Sequence, residues 1–425
     1  MQSDAEKLQI AELQYTRQVK KDLPRNFAVH LMHGMFGQTG FRLIMAPTFI
    51  PAYILMLSGG STFFVGLALS LQALGMTLTP LLSASLIEHR KKVLPLGFLI
   101  GGGMRACVLF IALSGFFLEG DAVLYAILLF LLMLGLFQGM QGVLFNVLMA
   151  KVIPVSKRGR LTGLRNFLAG ITSAGVAYVG GTYLIGDTPT AVGYSWTFLL
   201  AFVLTSIGLL MLLATKEPEP PVVNPKMGIR QRLREMPALL KSHPSFFRYV
   251  MARSLATMGR MAMPFYILYA GQSIGLTGET LAILTIAFTL SGTVSNLVWG
   301  VIADKRGFRI TFLASILLWV ISTLLLMLVD GLLVTTIVFI GIGAAFQGFQ
   351  NSSQNLTLEF GEREDLPTKI AIANTTSEIA GTFGPLLGGI LVSTLGYSSV
   401  FITSITFLVV GGMVVRMYVP EPRLK

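Results

Sequence analysis

Long apolar segments separated by short polar turns occupy almost the whole chain of 425 residues. A helix needs about 20 apolar residues to cross the hydrocarbon core of a bilayer. Backbone polar groups in lipid must be hydrogen-bonded within their own segment. The pattern therefore predicts an all-α membrane protein with 12 transmembrane helices. We number these predicted spans 1 to 12 and place them at 27–57, 62–87, 93–118, 122–150, 161–186, 194–215, 246–273, 278–303, 310–329, 332–358, 369–394 and 398–418.

A polar segment separates spans 1–6 from spans 7–12, which predicts two pseudo-symmetric six-helix bundles. The residues before span 1 are polar and lack the apolar core of a secretory signal, so we expect span 1 to remain in the mature protein. The predicted organisation is a cytoplasmic N-terminal segment, a first bundle, a cytoplasmic linker with an amphipathic helix, a second bundle and a cytoplasmic tail. In that order, the boundaries are 1–26, 27–215, 216–245, 246–418 and 419–425.

The composition favours a membrane protein over the other broad classes. Hydrophobic residues make up 53% of the chain and charged residues 12%, and the mean hydropathy is +0.73. A soluble domain carries roughly 25% charged residues. A soluble enzyme, a disordered chain and a nucleic-acid-binding protein are therefore poor fits, and the expected surrounding is the lipid bilayer.

The net charge of +12 is distributed as the positive-inside rule requires. Lys and Arg gather in the N-terminal segment, the linker, the C-terminal tail and the turns after spans 2, 4, 8 and 10. Arg165, at the start of span 5, belongs to this set, whereas the turns on the other side contain neither residue type. This asymmetry predicts that both termini are cytoplasmic, and we expect a multi-pass protein of a bacterial inner membrane.

Short motifs recur in the two halves, which indicates an internal repeat. Because each half has six spans, both copies enter the membrane in the same sense and are related by an axis along the membrane normal. Transporters built in this way hold substrate near the midplane, between the halves. The recurring motifs are Phe137-Gln138-Gly139 and Phe346-Gln347-Gly348, Asn166 and Asn374, Gly180-Gly181 and Gly388-Gly389, and Pro51 and Pro264.

The turn between spans 8 and 9 reads Gly300-Val301-Ile302-Ala303-Asp304-Lys305-Arg306-Gly307-Phe308-Arg309. It closely resembles the signature loop of the major facilitator superfamily, and the chain resembles a secondary transporter of this superfamily over essentially its whole length. The first-half counterpart is degenerate, with Glu88 in place of the usual Asp.

An acid in such a turn can face the positive N-terminus of a neighbouring helix, and basic neighbours can pair across the cytoplasmic seam. We therefore interpret both turns as parts of a gate. The alternative is a pair of turns that only follow the positive-inside rule. The gating candidates are Glu88, Arg90, Asp304, Arg306 and Arg309.

Charged side chains in the middle of spans are costly and need a reason. Arg42 lies in span 1 and Arg260 in span 7, which are equivalent in the repeat, so the two arginines can face each other across the axis. Arg253 precedes Arg260 by seven residues on the same helical face, and Gln38 lies one turn before Arg42. Guanidinium suits carboxylate or phosphate. We predict that these four residues bind substrate; structural pairing is the alternative.

Amide side chains provide a second polar set in spans 4 and 10. Gln141, Gln350 and Gln354 are predicted to line the substrate site, and interhelical hydrogen bonding is the alternative. The resemblance to the superfamily implies that spans 1, 4, 7 and 10 surround a central cavity.

Glu378 is the only acid deep within any span. A carboxyl group there can carry a proton, so we predict that Glu378 couples transport to protons; a salt bridge to one of the arginines is the alternative. His33, near the cytoplasmic end of span 1, is predicted to relay protons, or else to lie at the headgroup level. Arg105 in span 3 is expected to have a structural or a snorkelling role.

The sequence contains no phosphate-binding loop, metal-ligand cluster or nucleophile motif, so we expect no cofactor and no enzyme activity. The resulting hypothesis is a monomeric secondary active transporter that moves a small anionic or zwitterionic organic solute by alternating access. Protons or a counter-transported ion would drive it. Two alternatives stay open: efflux of drugs or siderophore-type compounds, and a receptor or scaffold that keeps the fold without transport.

Overall fold

The computed structural model describes residues 4–87, 89–221, 243–328, 330–360 and 366–419. Within these ranges every regular element is a helix. The first half contains Asp4–Gly37, Thr39–Met45 and Phe49–Leu57 (span 1), Thr62–Leu78 and Pro80–Ile87 (span 2), Leu94–Phe117 (span 3), Asp121–Val152 (span 4), Val155–Val179 with the π-helical turn Gly180–Ile185 (span 5), and Ala191–Leu212 (span 6). The second half contains Pro244–Met258, the 3₁₀ turn Gly259–Ala262 and Met263–Ile274 (span 7), Gly278–Arg306 (span 8), Phe308–Leu326 (span 9), Leu332–Glu359 (span 10), Leu366–Leu395 (span 11) and Tyr397–Tyr418 (span 12).

Nine of the described helices are long and apolar enough to cross a membrane by themselves. Spans 1, 2 and 7 are instead interrupted. Span 1 bends by 45° where Glu6–Met45 meets Phe49–Leu57. Span 2 breaks at Thr79, before Pro80, and span 7 changes to a 3₁₀ turn at Gly259. Proline lacks the backbone donor that an α-helix needs in its interior, which explains the break in span 2. The predicted amphipathic helix of the linker and Glu88 lie outside the described residues.

The two halves repeat the same helix contacts, as their shared motifs predict. Span 1 packs on spans 5 and 6, span 2 on span 4, and span 3 on spans 4 and 6. In the second half, span 7 packs on spans 11 and 12, span 8 on span 10, and span 9 on spans 10 and 12. The main contacts between the halves are those of span 2 with span 11 and of span 5 with span 8. The repeat relates span 2 to span 8 and span 5 to span 11, so these two contacts are equivalent. The described parts of the two halves therefore form two bundles with equivalent helix contacts.

The N-terminal segment and the start of the linker meet at one end of the molecule, which we call the terminal face; the other end is the opposite face. Asn26 and the backbone of Lys216 exchange two hydrogen bonds of 3.0 and 2.9 Å. The carboxylate of Glu217 accepts the backbone N–H groups of Val93 and Leu94 at the start of span 3 and pairs with Lys151 at the end of span 4. The first residues of the linker are thus bound to the first half.

Glycines bring the halves into backbone contact near the opposite face. A methyl group on Gly181 would come within 2.2 Å of the carbonyl oxygen of Gly278, and one on Gly66 within 2.3 Å of that of Pro385. The backbone N–H of Gly278 donates to the carbonyl of Gly186 at 2.8 Å. No larger residue fits at these contacts without moving the helices apart, so the opposite side of the interface is closed.

The halves separate towards the terminal face. Gly170 of span 5 contacts Thr293 of span 8, where an added methyl group would lie 2.6 Å from the threonine hydroxyl. Gly163 and Gly300 lie two turns nearer the terminal face on the same faces of these helices. A methyl group on either would meet nothing within 4 Å. The interface is therefore closed at one end and open at the other.

The contacts of Glu217 predict a large loss of stability on Glu217→Ala. The side chain is 3% exposed, and its removal takes away a helix cap and the partner of Lys151, which we expect to cost at least about 2 kcal/mol. Glu219→Ala is the matched control, because Glu219 pairs with Lys92 at 3.2 Å with both side chains about half exposed; such pairs contribute about 0.2–1 kcal/mol. Thermal unfolding of the purified protein measures both, and equal losses would contradict the interpretation.

The glycine contacts predict that Gly181→Val shifts the protein to a state that is open at the opposite face. The added side chain cannot fit against Gly278, so spans 5 and 8 must separate there. Opening at the opposite face should be accompanied by closure at the terminal face. In a Cys107→Ser background, a cysteine introduced at Gly163 reports this closure, because it should then react more slowly with a thiol reagent. Gly175→Val is the control, since a methyl group there meets nothing within 4 Å. Unchanged labelling in Gly181→Val would show that the contact does not control the opening.

Candidate functional site

A central cavity of about 390 Å³ lies between the two halves. Its wall comes from spans 1, 2, 7, 8, 10 and 11, at the level of the interruptions in spans 1 and 7. The size falls at the small end of the range of small-molecule sites, about 300–1,000 Å³. The polar side chains in the wall include Arg42, Gln72, Arg260, Thr293, Gln347, Gln350 and Glu378. The apolar part includes Met45, Met76, Met263, Phe288 and Phe346.

The interruptions in spans 1 and 7 carry the two cavity arginines. Arg42 lies on the short helix Thr39–Met45, and Arg260 lies in the 3₁₀ turn Gly259–Ala262. Both side chains line the same cavity. The sequence placed these arginines in equivalent spans, and the structure brings them to one site between the halves.

Uncharged acceptors surround Arg42. Its guanidinium donates to the hydroxyl of Thr293 and to the side-chain oxygens of Gln38 and Asn166, each at 3.4 Å. Thr293 belongs to the second half, so Arg42 connects the two bundles. Among the described residues, no carboxylate lies within salt-bridge distance of Arg42. The cavity therefore has a cationic group whose charge is not neutralised by any carboxylate of the described residues.

Arg260 has an acidic partner in Glu378. The two side chains form an ion pair with 3.5 Å between Nη1 and Oε2, and they are 24% and 36% exposed. One turn along span 11, the hydroxyl of Thr382 donates to the carbonyl of Glu378 and lies 3.1 Å from the hydroxyl of Thr77 in the first half. The ion pair is thus accessible from the cavity and lies close to the contact between spans 2 and 11.

The other predicted substrate residues lie in different places. Gln350 lines the cavity, and Gln38 contacts Arg42 from the side. Gln354 is exposed and Gln141 half-buried, and neither belongs to the cavity wall. Arg253 is 5% exposed and is held by Thr357 at 3.0 Å and Asn374 at 2.9 Å, outside the cavity.

A polar cluster fills the first bundle behind Arg42. His33 is buried, with Nδ1 3.0 Å from the carbonyl oxygen of Gly208, and does not line the cavity. Arg105 donates to the carbonyls of Thr205 and Gly101, both at 2.7 Å, in the structural position expected from the sequence. These contacts satisfy polar groups within the bundle.

Arg165 is a buried cation that its place in the sequence did not reveal. The charge pattern predicts that it belongs to a basic turn, but it is 7% exposed and its guanidinium lies over the ring of Phe145 at 4.3 Å. The helix of span 5 begins at Val155, earlier than predicted, so Arg165 is three turns inside it. The sequence feature that could have indicated its place inside span 5 is the adjacent Asn166, which recurs in the second half as Asn374.

The predicted gating residues lie at the terminal face. Asp304 and Arg306 are exposed. Arg309 donates to the backbone carbonyl of Arg416 at 2.6 Å, and Arg90 to that of Leu86 at 3.0 Å. These hydrogen bonds of Arg90 and Arg309 stay within one half, and the gating role of the predicted residues stays a prediction.

Comparison with protein families identifies the chain. A family model described as Major Facilitator Superfamily matches residues 34–259 and 249–425, one match for each half. The chain belongs to the major facilitator superfamily. It is therefore a multi-pass membrane transporter rather than an enzyme, and the resemblance seen in the sequence is confirmed.

Solved structures of other superfamily transporters share the fold. A mutant of the nucleoside transporter NupG superposes with a TM-score of 0.72 at 13% identity, over 93% of this chain and 100% of that chain. The D-xylose-proton symporter gives 0.71 at 15% identity, over 94% and 98%. A POT family transporter in complex with 5-aminolevulinic acid gives 0.69 at 12% identity, over 94% and 96%. No curated protein matches this transporter in sequence. Identities this low show a common fold, which supports the predicted fold class.

Proposed function

We propose that this transporter moves a small organic solute with an anionic group across the membrane by alternating access. The observation that carries the proposal is Arg42, a cation in the cavity wall that has no carboxylate partner in the described part of the chain. Guanidinium forms charge-assisted, bidentate hydrogen bonds with carboxylate or phosphate. Arg42 makes only long contacts with neutral acceptors. An anionic solute between the halves would offer Arg42 stronger contacts in their place.

The remaining wall fits a solute with an apolar body. Met45, Met76 and Phe288 form a soft surface that adapts to apolar groups. Gln350 supplies donors and acceptors for a polar substituent. Among the structural neighbours, the POT family transporter binds 5-aminolevulinic acid, a small molecule with both a carboxylate and an amine. That example supports a carboxylate-bearing solute, which can be anionic or zwitterionic.

The charge distribution supports an orientation with the terminal face in the cytoplasm, where basic residues accumulate. In that orientation the cavity opens inwards and the glycine contacts close the outer side. Transport would require the halves to rock about the site, so that the contacts between spans 5 and 8 and between spans 2 and 11 open together. We further propose a bacterial inner membrane as the location and a monomer as the working unit.

The Arg260–Glu378 pair is the proposed site of proton coupling. When Glu378 takes up a proton, Arg260 loses its counter-ion and becomes available to an anionic solute. When the proton leaves, the carboxylate competes with the solute for the same guanidinium. This exchange links solute binding to proton binding at one pair of side chains, as a symporter requires.

The anion site predicts that Arg42→Gln weakens solute binding. Loss of a charge-assisted contact costs about 1.5–3 kcal/mol, which corresponds to a roughly 10- to 100-fold loss of affinity. Binding is measured as the thermal shift that benzoate, succinate and phenyl phosphate cause in the purified protein. Lys157→Gln is the control, because it removes an exposed positive charge outside the cavity. Equal shifts in Arg42→Gln and the wild type would rule out the anion site.

The coupling proposal predicts that Glu378→Gln separates transport from the proton gradient. In proteoliposomes loaded with an accepted solute, the variant should keep exchange of solute across the membrane but lose accumulation driven by a pH gradient. Glu279→Gln changes an exposed acid at the start of span 8 and serves as the control. Full pH-driven accumulation by Glu378→Gln would show that Glu378 only forms a structural salt bridge.

A further inference from the structure

The repeat gives each cavity arginine a polar partner on an equivalent helix. Arg42 is held by Asn166 on span 5, and Arg260 by Glu378 on span 11. Spans 5 and 11 are repeat equivalents, so the two partners come from corresponding helices of the two halves. The partner in the first half is a neutral amide, whereas the partner in the second half is an acid. The two arginines thus differ in how much of their charge is available to a solute.

The equivalent of Asn166 in the second half also holds an arginine. The side-chain oxygen of Asn374 accepts a hydrogen bond of 2.9 Å from Arg253. Four residues further, span 11 has Glu378 while span 5 has Gly170, which allows Thr293 to approach. The second half therefore keeps both an amide and an acid on this face, and the first half keeps the amide alone.

None of the described acidic residues forms an ion pair with Arg42; Glu378 lines the same cavity but pairs with Arg260. In the described helices of spans 1 to 6, the acids Asp4, Glu6, Glu12 and Asp22 lie in the N-terminal part of Asp4–Gly37, and Asp121 lies at the opposite-face end of span 4. Arg105 and Arg165, 4% and 7% exposed, add further positive charge behind the cavity wall. An acid placed next to Arg42 would thus be its first carboxylate partner among the described residues.

We propose that Asn166 is the residue that sets the charge preference of the transport site, because it holds the Arg42 guanidinium with an uncharged oxygen. This inference rests on the proposed anion transport. Asn166 acts as a positioning residue: it orients Arg42 but leaves the positive charge for the solute. A carboxylate of the same shape would form an ion pair with Arg42 and compete with any anion. Glu378 shows that the corresponding helix of the second half does place an acid beside a cavity arginine.

The decisive variant is Asn166→Asp, which keeps the shape of the side chain and adds one negative charge. We expect it to reduce the affinity for benzoate, succinate or phenyl phosphate at least about 10-fold, while binding of a neutral analogue such as benzamide changes little. Asn166→Ala keeps the charge of Arg42 but removes one anchor, so its loss of anion affinity should be smaller. This order of effects separates a role in charge from a purely structural role.

Asn374→Asp is the matched control, because it places the same new charge at the equivalent repeat position. Arg253 is buried outside the cavity, so anion binding should stay close to that of the wild type. If Asn166→Asp does not fold, Thr293→Asp brings a carboxylate to Arg42 from the other half and should give the same loss. Thermal shift measures affinity, and uptake of the same anions into proteoliposomes measures transport.

The outcomes distinguish this inference from the proposal on which it rests. If the wild type binds one of the anions and Asn166→Asp binds it equally well, the role of Asn166 is wrong and anion transport stands. If the wild type binds none of them, both the anionic substrate and the role of Asn166 are wrong. Selective loss of anion binding in Asn166→Asp, with Asn374→Asp unaffected, supports the inference.

Discussion

A guanidinium group in the middle of a bilayer must face protein or water, because its exposure to hydrocarbon costs at least about 2.5–3.5 kcal/mol. Arg42 meets this requirement by facing a cavity, and three neutral side chains from spans 1, 5 and 8 hold it there. The surrounding helices also keep the cavity arginines away from hydrocarbon. The interruptions of spans 1 and 7 turn the arginines inwards, and the halves part on one side so that water can reach them.

The repeated fold gives two equivalent frameworks, and small differences between them create the chemistry. Backbone contacts and helix packing are shared by the halves, whereas the polar positions on spans 5 and 11 have diverged. Gly170 and Glu378 occupy comparable places beside the cavity but have different consequences. One lets a threonine of the other half approach Arg42, and the other neutralises Arg260. A symmetric scaffold thereby holds an asymmetric pair of cationic groups.

Much of this architecture could be predicted from the sequence. Span positions, the duplication and the mid-span location of Arg42 and Arg260 follow from hydropathy and repeated motifs. The direction of each side chain does not. Seven residues separate Arg253 from Arg260, which predicts one common face, but this spacing also sets them about 10 Å apart along the helix, where Thr357 and Asn374 hold Arg253 outside the cavity. Only Arg260 then reaches the cavity.

Contacts between residues that are far apart in the chain could not be predicted from the sequence either. The burial of Arg165 depends on packing against Phe145 in span 4, and the cap formed by Glu217 depends on where the linker folds back. Neither has a local pattern that would indicate it. Residues whose role is set by their own helix, such as the glycines and the mid-span arginines, were the ones that could be identified.

The glycine contacts at the opposite face have a consequence for the speed of the transition. Side chains that interlock must leave their rotamers before two helices can separate, and each such step adds to the kinetic barrier. At Gly181 and Gly278, two backbones meet without side chains between them, and within the described residues a single backbone-to-backbone hydrogen bond, from Gly278 to Gly186, joins the bundles. Since glycine has no rotamer to change, spans 5 and 8 can separate at this contact without rearranging the core of either bundle.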